Sequence, residues 1–472
     1  MNLAHHLKHP VFESISRQAA LLNENAFVIG GYVRDLLLDR ADKDIDIVCE
    51  GSGIELAQSV AKELGVHKVT VFKNFKTAHF KYEDLDVEFV GARKESYRAH
   101  SRKPIVEDGT LEQDQQRRDF TINALAISLN KNNFGDLIDP FEGLVHLEKC
   151  LLKTPLDPDA TFSDDPLRMM RGIRFATELN FKIHSSAIRA MKRNSERLKI
   201  VSMERINVEL NRILAAPKPS RGLKLLFSTG LLDQFFPELS NLHGVEVKQG
   251  VSHKDNFFHT LQVVDNVAEQ SDNLWLRWGA LLHDIAKPDT KRFVPGIGWT
   301  FHGHEDRGAR MVPVIFRRLK LPQDHKMKFV QKLVLLHLRP IALTKEEATD
   351  SALRRLLFEA GDDLEELMIL CKADITSKNE AKVKRYLENY EVVKKRLVEV
   401  EEKDRIRNWQ PPIDGAEIMK TFDLKPGPEI GILKNAIKEA ILDGVIENDR
   451  NAAFDLMLNK AKEIGLEHKD IK

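Results

Sequence analysis

Cysteine is scarce. Cys49, Cys150 and Cys371 are spread over 472 positions with no CxxC pair, which excludes a disulfide framework and a zinc ribbon as organising devices. Net charge is absent too: 72 Lys+Arg balance 72 Asp+Glu, so composition disfavours a generic charge-driven nucleic-acid binder. No apolar run approaches the roughly 20 residues of a membrane span, and Met1-Asn2-Leu3-Ala4-His5-His6 lacks the charged-then-apolar layout of a signal peptide. The expectation is a soluble cytoplasmic protein with no membrane partner. There is no fixed-period repeat and no low-complexity tract. What is present is 42% hydrophobic residues, enough to give a core to each of about three domains at this length.

From Phe27 to Arg118 the apolar residues come in short runs, Phe27–Ile29, Ile45–Val48, Lys68–Phe72, Ala78–Phe80 and Leu85–Phe89, which read as strands. Tyr32–Leu38 and Ile54–Leu64 carry helical spacing between them. After Pro155 the 3.6-residue period continues almost to the end, the charged stretch Lys382–Arg407 reads as a helix, and its charge run Glu399–Asp404 reads as a solvated helix face. The predicted class is α+β, a small mixed-sheet head followed by a mostly helical remainder. Breaks at Pro217/Pro219, the loop Pro288–Gly303, and Trp409-Gln410-Pro411-Pro412 suggest parts spanning 1–155, 156–240, 241–409 and 410–472.

The head carries a pattern suited to phosphate chemistry. Gly30-Gly31 follows a strand and opens a helix, a place where backbone N–H groups approach phosphate closely. In Asp44-Ile45-Asp46 strand alternation puts both carboxylates on one face, and Asp86 and Glu88 repeat the arrangement. Crowded carboxylates repel unless a cation lies between them, and hard oxygen ligands suit Mg²⁺. Three of them complete a two-metal site of the kind that clamps both oxygens of an in-line phosphoryl displacement.

Gly30-Gly31, Asp44-x-Asp46, Ala92-Arg93-Lys94-Glu95-Ser96-Tyr97, Arg117-Arg118-Asp119-Phe120-Thr121-Ile122-Asn123-Ala124, Asp139-Pro140-Phe141-x-Gly143, Asp164 to Phe175 and Glu204-Arg205-Ile206 together resemble the bacterial tRNA nucleotidyltransferase/poly(A) polymerase family. The resemblance implies a polymerase-beta-like nucleotidyltransferase head, a helical neck that recognises the base and binds RNA, and the class II activity that adds C, C and A to tRNA from CTP and ATP. It makes Asp44 and Asp46 the Mg²⁺ ligands. The third carboxylate is Glu88 by its spacing from Arg93, with Asp86 as the alternative. It places Arg34, Arg118, Asp119, Asn123, Arg171 and Arg174 around the incoming nucleotide, with Arg93, Glu95 and Tyr97 either beside the catalytic group or structural. Asp165 and Arg168 have a chemical logic of their own. Cytosine and adenine each present an amino donor beside a ring-nitrogen acceptor, so a carboxylate next to a guanidinium matches both and mismatches guanine and uracil. Helical spacing of three would present the two side chains together. Alternatives within the class are A-addition, CC-addition and poly(A) synthesis.

A second constellation, His259, His283-Asp284, His304, His337 and Asp374, looks like the HD phosphohydrolase superfamily, which implies a divalent metal of unidentified kind held by those residues. His302 and His253 are alternatives to a ligand of that set, and His304 is preferred for its His304-Glu305 context. A phosphatase or 2′,3′-cyclic phosphodiesterase activity follows as a separate expectation. In the rival reading the chain is an HD nucleotide hydrolase with an inactive head. The tail from Ile413 resembles the helical C-terminal segment of HD-containing members. Locally the charge is not neutral: positions 39–50 hold five acids and two bases, and 164–212 hold eleven bases and six acids.

Overall fold

The computed structural model describes all residues except 41–42, 74–75, 97–104, 344–347, 377–378, 405, 408 and 467–472, and the side chains of 94–96, 105–106 and 382. Tyr97, the side chain of Glu95, and Asp42 of the acidic stretch therefore lie outside the described residues. The chain divides into two compact units, Met1–Ser240 and Asn241–Lys472.

Among the described residues the first unit contains eleven strands: β1 (Ala26–Ile29), β2 (Asp44–Cys49), β3 (Thr70–Phe72), β4 (Thr77–Tyr82), β5 (Leu85–Gly91), β6 (Arg93–Ser96), β7 (Ile105–Asp108), β8 (Ala126–Ser128), β9 (Leu137–Ile138), β10 (Leu151–Leu152) and β11 (Lys182–Ile183). Seven form one mixed sheet in the order β3-β4-β5-β2-β1-β8-β9. Its helices are α1 (Pro10–Leu22), α2 (Gly31–Leu37), α3 (Gly53–Glu63), α4 (Leu111–Gln116), α5 (Gly143–Glu148), α6 (Pro158–Asp164), α7 (Leu167–Glu178), α8 (Ser185–Asn194), α9 (Met203–Ala215), α10 (Pro219–Ser228) and α11 (Pro237–Ser240). Helices α1 and α3 cover one sheet face, where Phe12, Ile15, Leu56 and Val60 join Val28, Ile45, Ile47, Val87 and Phe89 in one buried cluster. Burying those β-branched and aromatic side chains drives the alternation. It leaves the intervening polar residues of β2 and β5 on the opposite face.

The parallel pairing of β2 with β5 sets the chemistry, because the register puts Asp44 beside Asp86 and Asp46 beside Glu88. Such a pair needs a crossover connection, and α3 lies within it. At Gly53 a Cβ would come within 2.9 Å of β5 backbone, so only glycine lets this helix start so close to the sheet.

The second unit is helical: α12 (Asn256–Ala268), α13 (Leu274–Leu282), α14 (Lys287–Thr290), α15 (His304–Arg318), α16 (His325–Leu336), α17 (Leu338–Leu343), α18 (Asp350–Ala360), α19 (Leu364–Asp374), α20 (Glu380–Asp404), α21 (Gly415–Phe422), α22 (Pro428–Leu442) and α23 (Arg450–Glu463). The stretch from Pro288 expected to be loop instead holds one end of α14 and an antiparallel hairpin, Arg292–Val294 with Gly298–Thr300. Among the described residues no helix is long and apolar enough to cross a membrane.

Candidate active site and metal centre

The first unit opens a cleft of about 930 Å³ whose walls include Gly31, Arg34, Asp44, Asp46, Asp86, Glu88, Arg118, Asp119, Asn123, Asp165, Arg168, Arg171 and Arg174. Residues 140 positions apart in sequence thus face one space. Gly30 stands at its edge with φ +88°, and a Cβ there would come within 2.9 Å of Arg118 Nη1 and 3.3 Å of Asp46 Oδ2. Glycine at this turn keeps the floor open.

The two candidates for the third carboxylate differ in what they touch. Asp86 is held by Lys81 Nζ at 2.9 Å and by His79 Nε2, and these hydrogen bonds hold its carboxyl below the usual range. Glu88 faces the cleft and has no hydrogen-bond partner among the described residues. Partial loss of hydration, then the nearby charge of Asp46, push its carboxyl above the ordinary glutamate value. A crowded all-oxygen donor set with an unengaged glutamate fits a divalent cation.

Behind the carboxylates runs a chain of directed bonds. Arg34 Nη1 donates to Asn123 Oδ1 at 2.7 Å, and Asn123 Nδ2 donates to Asp119 Oδ1 at 2.9 Å. Asp119 Oδ2 then accepts from Arg171 Nε at 2.6 Å. Asp119 is buried, which by itself raises its pKa, but Arg171 and Asn123 outweigh burial and bring it down to about 2. Arg117 and Arg118 both donate to the buried Asp114, Arg117 Nε at 3.0 Å and Arg118 Nε at 3.2 Å. Asp114 lies on α4, whose Thr110/Gln113 capping box fixes its start. Arg174 packs over the Phe175 ring at 4.2 Å. Burial pushes it down to about 10 against the pull of Glu209, 3.0 Å away.

The expected geometry of Asp165 and Arg168 needs correction. Asp165 does not share a helix with Arg168, because it sits between α6 and α7 in an extended conformation, ahead of Pro166. Proline fixes its own φ and disfavours helical backbone in the preceding residue. The Asp165 carboxylate accepts from Leu167 N at 3.1 Å and pairs with Arg205 Nη2 at 3.0 Å. Arg168 donates to the Thr161 carbonyl at 3.2 Å. The two side chains still line the same cleft.

In the second unit, His259, His283, Asp284, His304, His337 and Asp374 come together, although five different helices or helix ends supply them. His259 Nε2 lies 2.9 Å from Asp374 Oδ1, and His304 Nε2 lies 3.2 Å from Asp284 Oδ1. His304 and His337 Nε2 are 3.3 Å apart. The Nδ1 atoms of His283, His304 and His337 each lie 2.7 Å from a backbone carbonyl, those of Ala280, Phe301 and Val334. A carbonyl can only accept, so Nδ1 carries a proton in each and Nε2 is turned inward, the usual support of a metal-binding histidine. His283 Nε2 is buried with no hydrogen-bond partner, and it stands 3.2 Å from an Asp284 oxygen without hydrogen-bond geometry. Burial opposes a charged His283, but Asp284 and Asp374 outweigh it and hold the imidazole above its ordinary value. His337, buried beside His283, is held below it. Two ligand groups, His259/His283/Asp284 and Asp284/His304/His337, have their donor atoms within 4.8 Å of one another, so the donor set fits a divalent metal. His302 is exposed, and His253 accepts from Glu246 N at 3.3 Å in a hairpin outside the cluster.

Sequence reasoning missed several partners. Asp114 and Lys287 were readable, since Asp114 precedes Arg117 and Arg118 by three and four, and Lys287, 2.6 Å from Asp284, follows it by three. His79, Lys81 and Glu209 depend on strand register or helix pairing, and Arg205, though part of the Glu204-Arg205-Ile206 motif, gave no sign that it pairs with Asp165.

Three family models match the chain: the poly A polymerase head domain over residues 26–153, the probable RNA and SrmB-binding site of polymerase A over 180–242, and the HD domain over 256–379. A CC-adding tRNA nucleotidyltransferase of Thermus thermophilus is 30% identical over 450 residues, covering 92% of this chain and 93% of that protein. A CCA-adding enzyme of Streptococcus gordonii is 28% identical over 96% of each. An A-adding tRNA nucleotidyltransferase of Aquifex aeolicus is 42% identical over 203 residues, and the match spans 24% of that protein's length. A solved tRNA nucleotidyltransferase complexed with a primer tRNA and an incoming ATP analog superposes with a TM-score of 0.56 at 26% identity, covering 80% of this chain and 99% of the other.

Proposed function

We propose that this chain, which belongs to the tRNA nucleotidyltransferase/poly(A) polymerase family, adds C, C and A to the 3′ end of tRNA from CTP and ATP. The observation that carries the reading is the single cleft in which the acidic sheet face of β2 and β5 meets the arginines of α7 and the Asp165/Arg168 pair. Asp44, Asp46 and Glu88 would hold Mg²⁺, which when bound neutralises triphosphate charge and makes the hydroxyl more acidic. The tRNA 3′ oxygen attacks the α-phosphorus, the bond to the bridging oxygen breaks, and pyrophosphate leaves. Glu88 would take the hydroxyl proton, a role that the raised pKa of its carboxyl supports. Arg34 and Arg118 fork onto phosphate oxygens, while Asp165 and Arg168 read the base edge once Arg205 yields its hold on Asp165. The balanced total charge suits a selective RNA enzyme in a cytoplasmic setting better than a polymerase acting on arbitrary RNA. The working division is a head to residue 155, a base-reading neck to 240, an HD part to 409 and a tail.

The decisive experiment offers purified protein tRNA lacking CCA, CA or A, each with labelled CTP or ATP. Full CCA addition requires CMP incorporation into the first and AMP into the last. Incorporation of AMP alone would leave A-addition, and CMP alone CC-addition.

The buried His/Asp cluster favours a second activity in the other unit, metal-dependent hydrolysis of a phosphate ester. Water adds to phosphorus, the ester P–O bond breaks, and the released hydroxyl keeps one water proton. His259, His283, Asp284, His304, His337 and Asp374 would hold the metal, and hydrolysis unaffected by His283→Ala and Asp284→Ala would remove the assignment.

A further inference from the structure

The four histidines of the second unit's cluster are not held alike. His283, His304 and His337 each set Nδ1 2.7 Å from a backbone carbonyl, a partner that accepts and never donates. His259 sets its Nδ1 2.9 Å from the Thr376 hydroxyl instead. A hydroxyl can do both, having one proton to give and lone pairs to receive with. Neither proposed reaction uses that difference.

The hydroxyl is held in place. Thr376 lies two residues beyond Asp374, the last residue of α19, and its stretch is tied on both sides to the element that carries His259. Asn266 Nδ2, on α12 with His259, donates to the Ala373 carbonyl at 2.8 Å. Lys254 Nζ, just ahead of α12, donates to the Thr376 carbonyl at 2.5 Å and reaches the hydroxyl oxygen at 3.5 Å. Asp374-Ile375-Thr376 therefore grips both nitrogens of one ring, with Asp374 Oδ1 2.9 Å from Nε2 and Thr376 Oγ1 2.9 Å from Nδ1. The His259 side chain is 10% exposed, so water has little room to replace either partner.

These partners decide where the neutral ring carries its proton. Facing a carboxylate, which only accepts, Nε2 holds the proton and Nδ1 takes the Thr376 O–H. Facing a divalent cation, Nε2 must offer its lone pair, and the proton belongs on Nδ1, where the Thr376 oxygen accepts it. Between the two arrangements the Nε2 proton leaves to water, Nδ1 gains one from water, and the hydroxyl keeps its own proton and turns. A carbonyl in place of the hydroxyl would serve only the second arrangement, and a methyl group neither.

We propose that Thr376 is the positioning residue of His259, donating to Nδ1 while the ring holds Asp374 and accepting from it when the ring holds a metal, so that His259 exchanges one for the other without losing a hydrogen bond. The proposal rests on the reading of the cluster as a metal centre and assigns a residue that supports it.

The test uses the full chain carrying Asp44→Ala and Asp46→Ala, so that the first unit does not compete for metal, with Zn²⁺ as the probe. Histidine labelled with ¹⁵N reports the ring nitrogens by NMR, and the signals lost in His259→Gln assign His259. Its Nδ1 is expected unprotonated in the chelated protein and protonated once Zn²⁺ is added. An Nδ1 already protonated in the chelated protein overturns the proposal. Zn²⁺ affinity, measured by competition with a chromophoric chelator, is expected to fall about 10- to 100-fold in Thr376→Val, the scale of a lost partner behind a metal-binding histidine. Thr376→Ser is expected to recover most of the loss. Unchanged affinity in Thr376→Val, or equal losses in Thr376→Val and Thr376→Ser, overturns the positioning role. If the chain with Thr376 intact binds no Zn²⁺, the metal-centre reading fails alone and the chelated protein decides. An Nδ1 signal that moves in Thr376→Val to that of a nitrogen without a hydrogen bond then supports the role, and one that stays in place removes it.

Discussion

At the scale of single residues, Asp86 and Glu88 contrast as a carboxylate already paired and one left open to the cleft. Asp86 already spends its charge on Lys81 and His79, whereas Glu88 is destabilised as an anion by its surroundings. Glu88→Gln should lower kcat for CMP incorporation by roughly 10²–10⁴-fold, the usual worth of a general base, and Asp86→Asn by less than about 10-fold. The opposite order in single-turnover assays would reassign the role to Asp86. Asp119 gives a second prediction, through pH. Its folded value of about 2 lies below the ordinary 3.8, so its stabilisation is complete above the unfolded value and is lost as pH falls through the folded one. Denaturant unfolding should show wild type losing about 2 kcal/mol more than Asp119→Asn between pH 5 and pH 2. Equal losses would mean that Arg171 does not hold the carboxylate in solution.

At the scale of elements, strand alternation made the shared face of Asp44, Asp46, Asp86 and Glu88 legible, because Ile45 and Val87 between them must be buried. The parallel register that sets Asp46 beside Glu88 was not legible, since it depends on the α3 crossover and on Gly53. For the same reason His79 and Lys81 went unnoticed: alternation puts them on the active face of β4, but only pairing with β5 shows whom they meet. The helical placement of Asp165 failed where spacing was trusted across Pro166. Helix α7 carries a packing constraint that spacing does not reveal. A Cβ at Gly172 would come within 2.6 Å of Phe120 Cζ and 2.9 Å of Met191 Cε, so Gly172→Ala should cost about 1–3 kcal/mol by overpacking and displace Arg171 and Arg174 from the cleft. Thermal unfolding and KM for CTP check it, and an unchanged KM with lowered stability would show that the arginines keep their places.

For the whole molecule, each unit gathers its own set of candidate ligands, the carboxylates of β2 and β5 in the first and the buried His/Asp cluster in the second. Motif order made both sets nameable from the chain, but the roots of the cluster in Phe301, Lys287 and Thr376 appear only in three dimensions. Asp44→Ala should abolish nucleotide incorporation and spare ester hydrolysis, and His283→Ala should do the reverse. Paired assays on each variant, with metal content measured after chelation and reloading, decide it. A variant in the second unit that also stopped incorporation would show that the units do not act independently.

The relay Arg34–Asn123–Asp119–Arg171 leaves each member holding the next. A change at one position strands its neighbour's charge or amide, so these four sites are expected to change together. In a lineage where one drifts, the others should drift with it, and the joint substitution, not any single one, is the unit on which selection at this cleft floor acts.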